Sequence, residues 1–151
     1  MARGFEKVAD RFKKHSGDIE IKLPQRGTEH SIAYDIFSPI DGVIKPMERL
    51  FIWTDVKAYF GTDEALIMNV RSSMGSVPII MANSQGWIES DYYSNSENDG
   101  NLGVNLFNLG KEEYVIKAGD RIAQCMFINY LTADNGNTKE KRTGGFGSTN
   151  R

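Results

Sequence analysis

The chain reads as an all-β domain, barrel or sandwich, with a short helix before it and a mobile tail behind. Three observations carry that expectation. After Gly17 the apolar residues fall in short runs cut by Gly, Pro, Asn and Asp. No later segment holds helical periodicity over an ordinary helix length. From Arg142 onward, Gly and hydroxyl residues dominate, and such a segment builds no core.

At the N-terminus, Phe5, Val8, Ala9 and Phe12 recur at helical spacing, with Glu6, Lys7, Asp10, Arg11, Lys13 and Lys14 between them. This predicts an amphipathic helix near residues 4–15 that ends before Gly17, its basic last turn suiting a helix C-terminus. Ile19 to Leu23 then alternates apolar and polar residues, as a half-buried strand does. Further strand-like runs are Tyr34 to Phe37, Gly42 to Ile44, Leu50 to Phe60 and Ala65 to Val70. Val77 to Met81, Leu102 to Phe107, Glu113 to Ile116 and Ile122 to Tyr130 complete the series. Asn83 to Tyr92 reads as a hairpin. Ser94 to Asn101 is polar, acidic and aperiodic, and is expected to be a mobile loop. Thr132 to Lys141 is also polar and reads as a hinge into a mobile tail near residues 138–151.

A chain of 151 residues is about one domain, residues 1–151. Hydrophobic residues at 40% suffice for a core, and 18 basic residues nearly balance 20 acidic ones. That balance argues against nucleic acid as the main partner. No apolar run reaches membrane-spanning length. The first residues lack an apolar signal core, so no membrane partner is expected and the cytoplasm is the default. The single Cys125 lies in an apolar run and excludes an internal disulfide.

Several segments could carry chemistry. Arg142-Thr-Gly-Gly-Phe-Gly-Ser-Thr149 offers backbone N–H groups and Arg142 for phosphate oxygens, and Phe146 for a ring face. It equally reads as a plain disordered tail. Arg71, Ser72 and Ser73 follow an apolar strand, where they form either an oxyanion clamp or a solvated turn. Gln124 sits inside an apolar run and needs a polar partner. Gly119-Asp-Arg121 is a turn signature, and Asp120 and Arg121 read as structural. His15 and His30 are far apart with no ligand partners nearby, which argues against zinc.

Taken together, the segments Ala33–Ile36, Arg71–Gly75, Asn83–Tyr92, Gly119–Gln124 and Arg142–Thr149 resemble the five motifs of the trimeric dUTP pyrophosphatase family. The resemblance spans roughly Ile32 to Thr149. It implies a jelly-roll-like dUTPase β-barrel and a homotrimer with interfacial sites. The implied reaction is metal-assisted hydrolysis of dUTP to dUMP and pyrophosphate, with Mg²⁺ as cofactor. Asp35 resembles the aspartate that holds the Mg²⁺ hydration shell through water. Arg71 and Ser72, with Ser73 beside them, match the triphosphate clamp. Gln124 matches the residue touching the phosphate nearest the sugar. The uracil edge would meet the hairpin around Asn83, Gly86 and Ile88, and Tyr92 would pack on the deoxyribose. Arg142, Phe146, Gly147, Ser148 and Thr149 would close over the nucleotide. The family places Asp directly after Gly-X-Ile. Here Glu89 stands there, with Asp91 two residues on, and Glu89 is expected to hold the attacking water. Two other readings stand beside this one, the second less favoured because related deaminases usually lack the complete glycine-rich C-terminal motif. One is a nucleotide-binding regulatory protein with weakened catalysis, and the other is a dCTP deaminase.

Overall fold

The computed structural model describes residues 2–147. Ser148 and Thr149, both expected to bind substrate, lie outside the described residues. Among the described residues, twelve strands carry the fold. In chain order they are β1 (Gly4–Lys7), β2 (Gln25–Arg26), β3 (Tyr34–Phe37), β4 (Gly42–Ile44), β5 (Arg49–Trp53) and β6 (Val56–Tyr59). The rest are β7 (Glu64–Asn69), β8 (Ile79–Met81), β9 (Gly86–Glu89), β10 (Gly103–Asn108), β11 (Tyr114–Ile116) and β12 (Arg121–Asn129).

The strands form a five-stranded sheet ordered β2-β3-β12-β7-β9, a three-stranded sheet β5-β10-β8, and two pairs, β1-β6 and β11-β4. All pairings are antiparallel. None of these sheets closes on itself, so the all-β expectation holds and the barrel does not. Closure would need the edge strands of one sheet to pair with each other. Instead the chain changes sheet at its corners. The run Leu50 to Phe60 breaks at Asp55, whose φ is 56°, so β5 joins one sheet and β6 pairs with β1. Between the sheets lies one core, including Ile36, Ile52, Leu66, Met68, Val104, Leu106 and Ile122.

The N-terminal helix is likewise replaced. Residues 4–7 form β1 and pair with β6, so that Phe5 lies opposite Ala58. Val8 follows and is buried, its N–H donating to the Asp55 carbonyl at 3.0 Å. A short 3-10 turn, Asp10–Phe12, follows. The strand edge supplies backbone partners for this segment, which a solvent-facing helix of this length would have to supply alone. Phe5 gains ring contacts with Tyr34 and Phe127, at centroid distances of 5.3 and 5.4 Å. Ile19 to Leu23 runs without strand pairing, and only Gln25–Arg26 adds to the sheet edge.

The loop Ser94 to Asn101 is held closely rather than loose. Asn95, Asn98, Asp99 and Asn101 are buried. The Asn95 amide donates to the Tyr92 carbonyl at 2.7 Å and to Asn98 Oδ1 at 2.8 Å. Asn101 Nδ2 donates to the buried Asp55 carboxylate at 2.7 Å. The Lys57 ammonium lies 3.0 Å from Asp99. Asparagine side chains here take the place of sheet partners, so polar composition coexists with order. Among the described residues, no helix is long and apolar enough to cross a membrane.

Candidate active site

Two clefts gather the residues singled out from the sequence. The first, of about 260 Å³, is lined by Met68, Met81, Asn83, Gly86, Trp87, Ile88, Glu89, Tyr92, Leu102, Gly103, Arg142, Gly145, Phe146 and Gly147. β9 supplies one wall through its pairing with β7, where Gly86 lies opposite Met68. A side chain at Gly86 would press on Met68, so glycine keeps this wall close to the core. Asn83 opens the turn, which Ser84 completes at φ 60°. Buried Met68, Met81 and Leu102 make the floor apolar. An apolar floor with a polar backbone edge suits a flat heterocycle.

Tyr92 is buried at the end of this wall. Its hydroxyl donates to the Asn101 carbonyl at 2.5 Å and accepts from Asn98 Nδ2 at 3.0 Å. Burial raises its phenol to about 12, so it stays a neutral donor. The ring itself faces the tail, its centroid 6.5 Å from that of Phe146.

Tail residues 142–147 lie back on the hairpin of their own chain. Arg142 Nη2 is 3.0 Å from Glu89 Oε2, and Arg142 Nε donates to Asp91 Oδ1 at 2.9 Å. The guanidinium is 14% exposed and both carboxylates are 57% exposed. β9 ends at Glu89, and Ser90–Tyr92 forms a 3-10 turn. The two carboxylates are therefore not successive same-face positions of one strand. The turn swings them onto a single arginine.

The second cleft, of about 500 Å³, holds Asp35, Asn69, Arg71, Arg121, Gln124 and Cys125 among its lining residues. A polar row crosses the sheet here. Asp35 lies opposite Gln124 on β12, and Gln124 lies opposite Asn69 on β7. Directly opposite residues share a face, which explains how distant motifs converge. Arg71 Nε donates to Asp35 Oδ1 at 2.8 Å, and Arg121 Nε sits 3.5 Å from Asp35 Oδ2. Arg121 therefore joins this cluster, whereas Asp120 serves its turn by accepting the Lys117 N–H at 2.8 Å. Ser73 accepts a bond from Arg71 Nη1 at 3.2 Å, while Ser72 stands exposed on the adjoining 3-10 turn. Cys125 is buried, and burial together with the Asp35 charge pushes its thiol up and out of reactive range.

The two clefts do not share a lining residue among those described. They back onto each other across β7, where Met68 lines the first and Asn69 the second. Gln85 reaches across, its Nε2 donating to Asn69 Oδ1 at 2.8 Å. Among the described residues, no group of three or more His, Cys, Asp and Glu is gathered to hold a metal.

Sequence reasoning found Glu89, Asp91 and Tyr92 but missed three other residues that touch the tail. Phe51 and Trp53 flank Phe146 at centroid distances of 5.1 and 5.5 Å. Ser96 Oγ donates to the Thr143 carbonyl at 3.2 Å. A usable signal existed in Phe51-Ile52-Trp53. With Ile52 in the core, its neighbours must point outward.

The chain is similar in sequence and fold to known proteins. The dUTPase family model matches residues 19–150. A deoxyuridine 5'-triphosphate nucleotidohydrolase of Lactococcus lactis is 41% identical over 150 residues, covering 97% of each chain. The Mus musculus protein of the same description is 37% identical over 133 residues, 85% of this chain and 78% of that one. Among solved structures, the dUTPase from Streptococcus mutans superposes with a TM-score of 0.76 at 31% identity, over 87% of this chain and 99% of that one. A dUTPase from phage phi11 of S. aureus shares the fold, with a TM-score of 0.72 at 20% identity over 93% and 97% of the two chains. With a family model matching residues 19–150 and relatives alike over nearly the whole chain, the chain belongs to the dUTPase family of enzymes.

Proposed function

We propose that this dUTPase hydrolyses dUTP to dUMP and pyrophosphate at a composite site, built by bringing the base cleft of one chain to the phosphate cluster of another in a homotrimer. The observation that carries this reading is the separation of the two halves. On a single chain, Glu89 and Arg142 border one cleft, while Asp35, Arg71 and Gln124 border another behind β7. A closed ring of three copies joins unlike surfaces at each interface.

In this reading the uracil edge meets the backbone around Asn83, Gly86 and Ile88, and the deoxyribose packs on Tyr92. A fixed backbone edge leaves a group unpaired against cytosine. Phe146 and Gly147 cover the base. Arg71, Ser72, Ser73 and Gln124 take the triphosphate, and Arg121 adds charge beside them. Asp35 suits a Mg²⁺ held through water. A triphosphate would bring most of the ion's oxygen ligands, so one carboxylate would be enough once the phosphates draw Arg71 and Arg121 away from Asp35, with which both pair. Held there, Mg²⁺ would offset charge on the phosphates.

Glu89 orients the attacking water. Its carboxylate pairs with Arg142. An arriving triphosphate competes for that guanidinium, and its transfer to phosphate frees Glu89 to accept a water proton. The water oxygen bonds to the α-phosphorus, the bond to the bridging oxygen breaks, and pyrophosphate leaves. Glu89→Gln keeps the shape and removes the base, so kcat should fall by about 10²–10⁴ while dUTP still binds. Asp91→Asn should cost far less. Normal turnover by Glu89→Gln together with an inactive Asp91→Asn moves the catalytic role to Asp91.

A further inference from the structure

We propose that Phe51 and Trp53 on β5 form an aromatic seat for Phe146 and thereby position the tail at the base cleft. The inference rests on the reading of the tail as the cover of that cleft. Three rings meet edge to face. Phe51 and Trp53 lie 4.7 Å apart at 66°, Phe51 and Phe146 5.1 Å apart at 74°, and Trp53 and Phe146 5.5 Å apart at 88°. This is the arrangement aromatic quadrupoles favour. Phe146 remains 53% exposed, so the seat grips one side of the ring and leaves the rest uncovered.

Room for the seat is built into the glycines. Gly103 on β10 lies opposite Trp53, and a side chain there would collide with both Phe51 and Phe146. On the tail, a side chain at Gly145 would collide with Tyr92. Phe146 itself has φ 51°, a left-handed conformation that a bulky residue adopts only where contacts compensate.

The seat is also anchored from behind by the N-terminal segment. His15 Nε2 lies 2.7 Å from the Trp53 carbonyl, and the Lys14 ammonium sits 5.5 Å from the Trp53 ring centroid. The His15 and Lys14 N–H groups both donate to the Asp55 carboxylate, at 3.1 and 2.9 Å. Residues outside the five motif segments thus set where the tail rests.

The test is a double-mutant cycle on kcat/KM for dUTP in the full-length protein. Trp53→Ala should lower kcat/KM by roughly two- to tenfold, the size of the one ring contact it makes with Phe146. Trp53→Phe should retain most of the activity. In a Phe146→Ala background, Trp53→Ala should change nothing further, because both substitutions remove the same contact. An unchanged Trp53→Ala overturns the proposal. So does the same loss in both backgrounds, which would mark general damage to the fold. If Trp53→Ala fails to fold, Phe51→Leu carries the same comparison. If the wild-type protein does not hydrolyse dUTP, the functional reading has failed, and the seat is judged by hydrogen exchange. Amides of residues 142–147 should exchange faster in Trp53→Ala than in wild type, and equal rates overturn the seat.

Discussion

Replacing Tyr92 by Phe removes one oxygen from a site where two buried groups depend on it. The hydroxyl donates to the Asn101 carbonyl at 2.5 Å and accepts from Asn98 Nδ2 at 3.0 Å. Asn98 and Asn101 are both buried, so water does not readily replace the lost partner. Asn98 turns its other end inward, with Oδ1 accepting from Asn95 Nδ2 at 2.8 Å and from the Gly100 N–H at 3.0 Å. It cannot rotate to rescue its amide without breaking those bonds. A stranded buried donor or acceptor costs on the order of 1–3 kcal/mol, which sets the loss at about 2 kcal/mol. For a chain of this size that is a fall in Tm of about 4–8 °C. Because burial holds the phenol neutral up to about 12, the deficit should not change between pH 6 and pH 9 (about the range of ordinary assays). Thermal unfolding of both proteins at one protomer concentration measures it, since assembly makes Tm concentration-dependent. The ring remains beside Phe146, so discrimination between dUTP and UTP should persist in Tyr92→Phe and relax in Tyr92→Ala. A Tm within about 1 °C of wild type would refute the reasoning, because the loss worked from these two bonds is several times larger.

Two further predictions concern acid stability and assembly. Burial acts to raise the Asp99 carboxyl, but the Ala9 N–H and the Lys57 ammonium outweigh it and hold the group below its usual range. The Arg3 side chain and then the Gly61 N–H do the same for Glu64. A carboxylate depressed in the folded state stabilises it fully above its unfolded value near 4. That contribution is lost as pH falls through the lower folded value. Tm should therefore drop from about pH 5 downward, more shallowly in Asp99→Asn, and parallel curves for the two proteins would remove Asp99 from this role. Sedimentation should give a mass near three chains, and deleting residues 142–151 should preserve that mass while kcat/KM collapses. A fully active monomer contradicts the composite site.

Much of this protein is legible in its sequence, because short-range pattern reports short-range structure. Tyr34 to Phe37 and Gly42 to Ile44 read as strands from local alternation and turn residues, and both form with those bounds. The motif segments announce the family because each supplies a fixed residue type at a fixed strand end or turn. Tertiary structure decided the rest. Phe5, Val8 and Phe12 mimic a helical stripe, yet the open edge of β6 offers residues 4–7 a ladder of backbone bonds that no local pattern reveals. Whether sheets close depends on which edges meet, a property of the whole chain, and the turn at Asp55 sends β5 and β6 to different sheets. The polar run Ser94 to Asn101 resembles a loose loop until Asp55, Lys57 and Tyr92, distant or pointing inward, satisfy its side chains. Arg121 becomes a partner of Asp35 only through the pairing of β12 with β3. Arg142 meets Glu89 and Asp91 because the tail folds back across about fifty residues of sequence. Residue types and their spacing determined which chemistry the chain can perform. The pairing of strand edges, a long-range contest for backbone partners, decided which side chains stand together to perform it.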